Sequence, residues 1–259
     1  MKLQPIRSYL SHWLNQVDEH SIHSPFFFDF YKNVIKKSRK ATSNKKIEEI
    51  RASLLTNNSK IEIEDLGAGS RHNAGTTKSI AEVAKNSLSH EALSKLYQHI
   101  IHYNDARYIV ELGTSMGLNT LYLAEKSDAR VFTFEGSKAL ANIALTHFEL
   151  FEKQNIQLIE GNIDNTLTEF LQNTEKINFA LLDANHRYEP TMRYFNLLVR
   201  RFNDKSILVV DDIHWSEEME KAWKELYQHK LVYGSIDLFR CGILFFDPAL
   251  NKQHFVLSL

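Results

Sequence analysis

The feature that most constrains this chain is the segment Tyr108–Leu121, where an apolar run ends and two glycines follow. The run Tyr108–Leu112 contains an acid, Glu111, while Gly113 and Gly117 stand four residues apart before a helical pattern begins. Glycine lets the backbone turn sharply and approach a bound molecule closely, and a helix N-terminus favours phosphate-like and polar groups. The segment therefore predicts a strand, a tight turn and a helix that hold a nucleotide-like ligand.

A second acid, Glu135, closes the next apolar run, Val131–Phe134. At the tip of the second strand of a doubly wound sheet, a carboxylate can accept hydrogen bonds from both hydroxyls of an adenosine ribose. The glycine spacing then separates the cofactors, because a dinucleotide loop needs glycines two and five positions after Gly113. This chain has Ser115 and Leu118 there, which disfavours NAD, FAD and a nicotinamide dehydrogenase.

Strand and helix patterns alternate after about residue 85, which predicts a parallel α/β sheet. The strands are predicted over Tyr108–Leu112, Val131–Glu135, Ile156–Glu160, Ile177–Leu182 and Ile207–Val210. The helices are predicted over 89–102, 119–127, 138–152, 165–173, 190–202 and 216–229, the last with Ser216 as N-cap. Two final runs, Ile236–Phe246 and His254–Leu259, have only a short turn between them, so we expect them to pair antiparallel.

The chain divides near residue 85 into an N-terminal, mainly helical lid region, residues 1–85, and a ligand-binding domain, residues 86–259. A second glycine-rich segment, Glu64–Arg71, resembles the loop at Gly113 but lacks a following apolar strand that ends in an acid. We interpret it as a loop of the first region, from which Arg71 or His72 could reach the ligand as part of a lid.

Composition narrows the protein class. The chain has 259 residues, a net charge of -1 and a single cysteine, so intramolecular disulfides and thiolate zinc clusters are excluded. No apolar run has membrane-spanning length and the N-terminus lacks a signal-peptide core, so we expect a cytoplasmic protein without a membrane partner. A basic run between Lys36 and Lys46 is followed directly by Glu48 and Glu49, which favours a solvated helix face over a nucleic-acid site.

From about Ser89 onward, the chain resembles the class I S-adenosylmethionine-dependent methyltransferases. Its loop reads E-x-G-x-x-x-G, and the segment after the fourth strand, Asp183–Glu189, reads D-x-x-H-x-Y-E, as in small-molecule O-methyltransferases related to the catechol type. The resemblance implies a doubly wound, Rossmann-like, mostly parallel seven-stranded sheet with a C-terminal antiparallel hairpin. It also implies an S-adenosylmethionine site formed by Glu111, Gly113, Thr114, Ser115, Gly117, Glu135, Gly136, Asn162, Ile163 and Asp183.

The same resemblance suggests how an acceptor hydroxyl loses its proton. Asp183, Asp211 and Asp212 stand where cation-dependent members hold a metal, so Mg²⁺ or another divalent ion is one candidate. Catechol-type members have a lysine at the position of His186, and an imidazole there could act as the base. Asp183 and His186 are therefore the predicted catalytic residues, whereas His214 is interpreted as a packing or substrate-wall residue.

The predicted function is methyl transfer from S-adenosylmethionine to a hydroxyl oxygen of a small-molecule acceptor. The tetrad typical of amine methylation is missing after the fourth strand, where Asp183–His186 stands instead. An RNA-modifying methyltransferase and a nucleotide-binding protein without catalysis stay open as alternatives. The sequence also leaves a homodimer open.

Overall fold

The computed structural model describes residues 4–63 and 76–259. The second glycine-rich segment, with Arg71 and His72, lies outside these residues. Eleven α-helices are described: α1 Gln4–Asn15, α2 Pro25–Phe30, α3 Lys36–Lys40, α4 Lys45–Thr56, α5 Ile80–Ser87, α6 Glu91–Tyr103, α7 Leu118–Leu123, α8 Lys138–Leu150, α9 Ile163–Gln172, α10 Tyr188–Leu198 and α11 Glu217–Gln228. None of the helices in this part of the chain is long and apolar enough to cross a membrane.

Ten strands accompany them: β1 Lys60–Ile63, β2 Thr76–Ser79, β3 Tyr108–Leu112, β4 Arg130–Glu135, β5 Ile156–Glu160, β6 Phe179–Leu182, β7 Ile207–Asp211, β8 Gly234–Asp237, β9 Cys241–Phe245 and β10 Gln253–Val256. The first two form a small antiparallel pair, and the other eight form one mostly parallel sheet. The α/β, Rossmann-like fold class is confirmed, with eight strands in the sheet rather than seven.

The described residues divide into two compact units. One comprises residues within 37–173 and contains β3, β4 and β5, which pair in that order and run parallel. Its apolar cluster packs side chains of α4, α5, α7 and α8, including Ile47, Val83, Tyr122 and Phe148. The domain boundary expected near residue 85 stays a prediction.

The other unit comprises residues within 1–36 and 174–259 and contains the strands β10-β8-β9-β7-β6, in that order. The rings of Phe27 and Phe30 pack edge-on against Phe245 of β9, with centroids 5.4 and 5.0 Å away. Phe27 also packs against the start of β8: a Cβ at Gly234 would lie 2.4 Å from its ring, so any larger residue there would force the ring to shift.

The expected antiparallel hairpin is present, but its position in the sequence differs from the prediction. The run Ile236–Phe246 contains a turn at Phe239 (φ +66°) and forms both arms of the hairpin, β8 and β9. The prediction that the last two runs pair antiparallel was wrong, because β10 pairs parallel with β8. The reason is that β9 already has β7 on one edge and β8 on the other. Within this part of the sheet, β10 therefore adds to the outer edge of β8.

Candidate active site

The glycine loop after β3 turns back over the end of β4. The amides of Gly113 and Thr114 both donate to the carbonyl of Phe134, at 3.1 and 3.0 Å. Gly113 (φ +106°), Ser115 (φ +50°) and Gly117 (φ +79°) all adopt positive φ, so the loop uses the left-handed region three times within five residues. A Cβ on Gly117 would lie 2.7 Å from the Phe148 ring, so close packing on α8 also requires glycine there.

Glu111 lies beneath this loop and is completely buried. Its carboxylate accepts hydrogen bonds from the side chains of Asn119, Thr120 and Thr133, and Thr133 in turn contacts the Thr114 hydroxyl at 2.5 Å. Burial raises the pKa of Glu111 to about 7, although the three hydrogen bonds favour the charged form and oppose the shift. Glu111 and Thr114 therefore tie the loop to β4 and α7 from within.

Glu135 ends β4 with both carboxylate oxygens engaged by backbone amides. One oxygen accepts from Ser115 in the glycine loop and the other from Ser137, each at 2.8 Å. Burial raises the pKa of Glu135 against the lowering effect of these N–H groups and that of Gly136. The hydroxyl oxygen of Ser137 is buried without a hydrogen-bond partner in this structure. Because a carboxylate has about four acceptor positions, this acid and this hydroxyl fit a neighbouring pair of ligand hydroxyls.

Asn162 and Ile163 lie beside Glu135 because β4 and β5 run parallel and in register. Glu135 is opposite Glu160, and the amide of Gly161 donates to the Glu135 carbonyl at 2.9 Å. The Asn162 side chain caps α9 by accepting from the Asp164 amide at 2.9 Å. The same unit thus gathers Gly113, Thr114, Ser115, Gly117, Glu135, Gly136, Asn162 and Ile163 at the ends of its three strands.

The predicted catalytic pair belongs to the other unit and follows β6. The Asp183 carboxylate lies 3.5 Å from the His186 Nε2, and the turn between them places Asn185 (φ +65°) and His186 (φ +31°) in the left-handed region. The Asn185 amide holds this turn by donating to the Tyr194 hydroxyl at 2.7 Å. Burial lowers the pKa of His186, and the Asp212 carboxylate opposes this shift. A neutral imidazole beside a carboxylate is suited to accept a proton.

The predicted metal ligands are not gathered as a set. Asp211 is buried and its Oδ1 accepts from the Asp212 amide, while the Asp212 carboxylate faces Arg240 at 3.9 Å. Among residues 4–63 and 76–259, no group of three or more histidines, cysteines or acids is placed to hold a metal ion. The arrangement of Asp183, Asp211 and Asp212 therefore does not fit a metal centre, and a role for a cation stays a prediction.

A second cluster in this unit was not predicted from the sequence. Asp237, at the end of β8, accepts hydrogen bonds from His214 Nε2 and Trp223 Nε1, both at 3.0 Å, and from the Phe239 amide at 2.8 Å. Its carboxylate also lies 3.3 Å from the His12 Nε2. Burial alone would raise the pKa of Asp237, but the hydrogen bonds from His12 and His214 hold it far below its ordinary range.

His214 itself lies between two acids, Asp237 and Glu220, with its Nδ1 3.2 Å from the Glu220 carboxylate. Burial lowers the pKa of His214, but both carboxylates outweigh it and the net pKa is raised. Both ring nitrogens are occupied, which supports the packing interpretation of this residue. The cluster borders a cavity of about 1090 Å³ lined by residues that include Ser8, Ser11 and His12 of α1, Lys224 of α11 and Asp237.

Comparisons with known proteins find similarity to methyltransferases in sequence and in fold. Residues 110–213 match a family described as a methyltransferase domain. Among solved structures, an O-methyltransferase from Bacillus cereus in complex with SAH is 16% identical, with a TM-score of 0.55, covering 78% of this chain and 89% of that one. None of the curated proteins compared with the chain matches it.

Two further solved structures have the same architecture. The SAH-bound Podospora anserina methyltransferase PaMTH1 is 14% identical over 80% of this chain and 97% of its own, with a TM-score of 0.56. The O-methyltransferase TomG from Streptomyces achromogenes, in complex with SAM, is 15% identical over 62% of this chain and 82% of its own, with a TM-score of 0.54. At these identities the likeness is one of fold.

Proposed function

We propose that this chain transfers a methyl group from S-adenosylmethionine to a hydroxyl oxygen of a small-molecule acceptor, since residues 110–213 match a methyltransferase domain family and the fold is that of known methyltransferases. The observation that carries the proposal is the end of β4. There the Glu135 carboxylate is tied to the glycine loop through Ser115, and the Ser137 hydroxyl is buried without a partner. The residues that match the methyltransferase family, 110–213, include the glycine loop, Glu135 and Ser137.

The residues of this unit fit the cofactor. Glu135 would accept hydrogen bonds from the ribose hydroxyls, and Ser137 would complete that contact. The turn at Gly113 brings backbone close to the ligand, and Asn162 and Ile163 would border the adenine. When bound, the cofactor supplies a methyl group on a positively charged sulfur, so the chain has only to align the acceptor and make it nucleophilic.

The proposed base is His186. With its Nε2–H directed at the Asp183 carboxylate, the Nδ1 lone pair is left to take the acceptor's proton. The imidazolium that forms would be stabilised by the carboxylates of Asp183 and Asp212. Asp183 thus orients the base, and the resemblance also gives it a contact to the cofactor. No step is assigned to a metal, because Asp183, Asp211 and Asp212 are engaged elsewhere.

An oxygen acceptor is supported by two observations. The D-x-x-H turn replaces the tetrad of amine-methylating enzymes, and two of the three solved structures described above are O-methyltransferases by their own descriptions. We place the reaction in the cytoplasm. The alternative is a nucleotide-binding protein without catalysis, and only a measurement of turnover distinguishes it from this proposal.

The test of the cofactor site is calorimetry with S-adenosylhomocysteine. We expect Glu135→Ala to weaken binding by about 1.5 to 3 kcal/mol, the range of hydrogen bonds to charged groups. Glu160→Ala is the matched control, because this exposed acid is the register partner of Glu135 on β5 and should leave affinity unchanged. Binding of NADH without binding of S-adenosylhomocysteine would refute the proposal. Methyl transfer to oxygen is then tested by mass spectrometry, as the gain of one methyl group by a hydroxylated compound incubated with the protein and S-adenosylmethionine.

A further inference from the structure

Helix α1 has its polarity reversed relative to a normal surface helix. Its polar residues Ser8 and His12 are buried, with 5% and 8% of their surface exposed. Its large apolar residues lie outside and are between 47% and 73% exposed: Ile6, Tyr9, Leu10, Trp13 and Leu14. Their spacing of three and four residues puts them on one side of the helix, which we call the α1 stripe.

The inner face of α1 is fixed, so the helix cannot roll to bury the stripe. His12 contacts the buried Asp237 carboxylate at 3.3 Å, and its ring packs edge-on against Phe239 at 5.4 Å. Just after the helix, the Val17 amide donates to the Val256 carbonyl of β10 at 2.9 Å. Turning the stripe inward would break the contact of His12 with a carboxylate that is otherwise removed from water, which is costly.

The stripe is large for a monomer surface. Its five side chains expose roughly 600 Å², at the upper end of the largest apolar patch on typical monomers. If two copies each buried a surface of this size, the interface would total about 1,200 Å², the lower end of the range for stable interfaces.

We propose that the α1 stripe is the contact between two copies of this chain. A single helix face with apolar residues at such spacing can pack against itself across a two-fold axis, each copy presenting the same surface. A membrane surface fits less well, because Arg7 is the only lysine or arginine of α1, whereas lipid-binding helices are rich in basic residues. A net charge of -1 also means that two copies hardly repel each other.

Such a contact would also stabilise one wall of the cavity. The polar face of α1 lines the cavity with Ser8, Ser11 and His12, and the stripe is the opposite face of the same helix. A partner seated on the stripe would therefore hold α1 over the cavity. The proposal does not depend on methyl transfer.

The experiment is sedimentation velocity of the full chain at increasing concentration. We expect a dimer at tens of micromolar, and the double substitution Leu10→Glu, Leu14→Glu should weaken association at least about 100-fold, because four leucines leave the interface of a symmetric dimer. Leu150→Glu is the matched control: this residue is as exposed as Leu10, at 51%, but lies on α8, and its substitution should leave the dimer intact.

Each other outcome overturns the proposal. A wild-type chain that stays monomeric throughout, or a double variant that still dimerises, would remove the stripe as an interface. Binding of the monomeric wild type to phosphatidylcholine vesicles containing phosphatidylserine would assign the stripe to a lipid surface instead. If the glutamate variant does not fold, judged by circular dichroism, Leu10→Ala with Leu14→Ala keeps helix propensity and tests the same contact.

Discussion

Replacing Glu111 by Gln is expected to remove a pH-dependent loss of stability from this protein. Glu111 is completely buried beneath the glycine loop, where its pKa is raised from 4.5 to about 7. A glutamine resembles the protonated carboxyl, with one accepting oxygen and one donating group, so it can keep the contacts to Asn119 and Thr133. The exchange therefore changes the charge with little change of volume.

The direction of the Glu111 pKa shift determines how stability changes with pH. The folded protein holds the Glu111 proton more tightly than the unfolded chain does, so this group contributes stability that is fully present below pH 4.5 and lost as pH rises to about 7. A shift of this size corresponds to about 3 kcal/mol, as an order of magnitude. Relative to Glu111→Gln, the wild type should therefore lose up to about 3 kcal/mol of unfolding free energy across this range.

The assay is urea unfolding of both proteins at about pH 5 and about pH 8, followed by circular dichroism. Histidines and Glu135 titrate in both proteins, so their contributions largely cancel in the difference between them. Glu160→Gln, at an exposed acid, serves as control and should follow the wild type. If wild type and Glu111→Gln lose the same stability between the two pH values, Glu111 is ionised throughout and the account of the buried network is wrong.

Three further results are expected. His186→Ala should lower turnover by about 10²- to 10⁴-fold while S-adenosylhomocysteine affinity stays the same, and an unchanged rate would remove the base assignment. Excess chelator should leave turnover intact, because Asp211 and Asp212 are engaged by an amide and by Arg240; activity lost with chelator and restored by Mg²⁺ would reinstate the predicted metal site. Gly117→Ala should destabilise the fold by about 1 to 3 kcal/mol, since a Cβ would meet Phe148 at 2.7 Å and φ is +79°; thermal unfolding at the wild-type temperature would contradict this.

The central strands could be predicted from the sequence because their ends are marked chemically. Strands β3 and β5 have the predicted bounds, Tyr108–Leu112 and Ile156–Glu160, since each apolar run stops at a glycine. The strand ends then place the loop at Gly113 and the acid Glu135 at one edge. The alternation of buried and exposed residues along a strand could not show that Glu111 points inward, because residues 109–112 of β3 are all buried.

Long-range pairings are the part that local patterns do not contain. The turn at Phe239 stands inside an apolar run, so the run Ile236–Phe246 reads as a single strand although it forms two. The His12 and Asp237 side chains meet across a separation of 225 residues, and nothing near either residue indicates the other. Likewise, Asp183 after β6, Asp211 at the end of β7 and Asp212 after it match a metal motif by position. In the structure they contact His186, a backbone amide and Arg240, respectively.

The strand β10 follows every other strand of the sheet in the chain, yet it covers the edge of β8, which is made earlier. During synthesis, β8 and β9 can therefore pair while the outer edge of β8 still presents free backbone N–H and C=O groups. An edge of this kind can recruit strands from neighbouring chains. We expect chains truncated before Gln253–Val256 to aggregate more readily than chains that contain this strand.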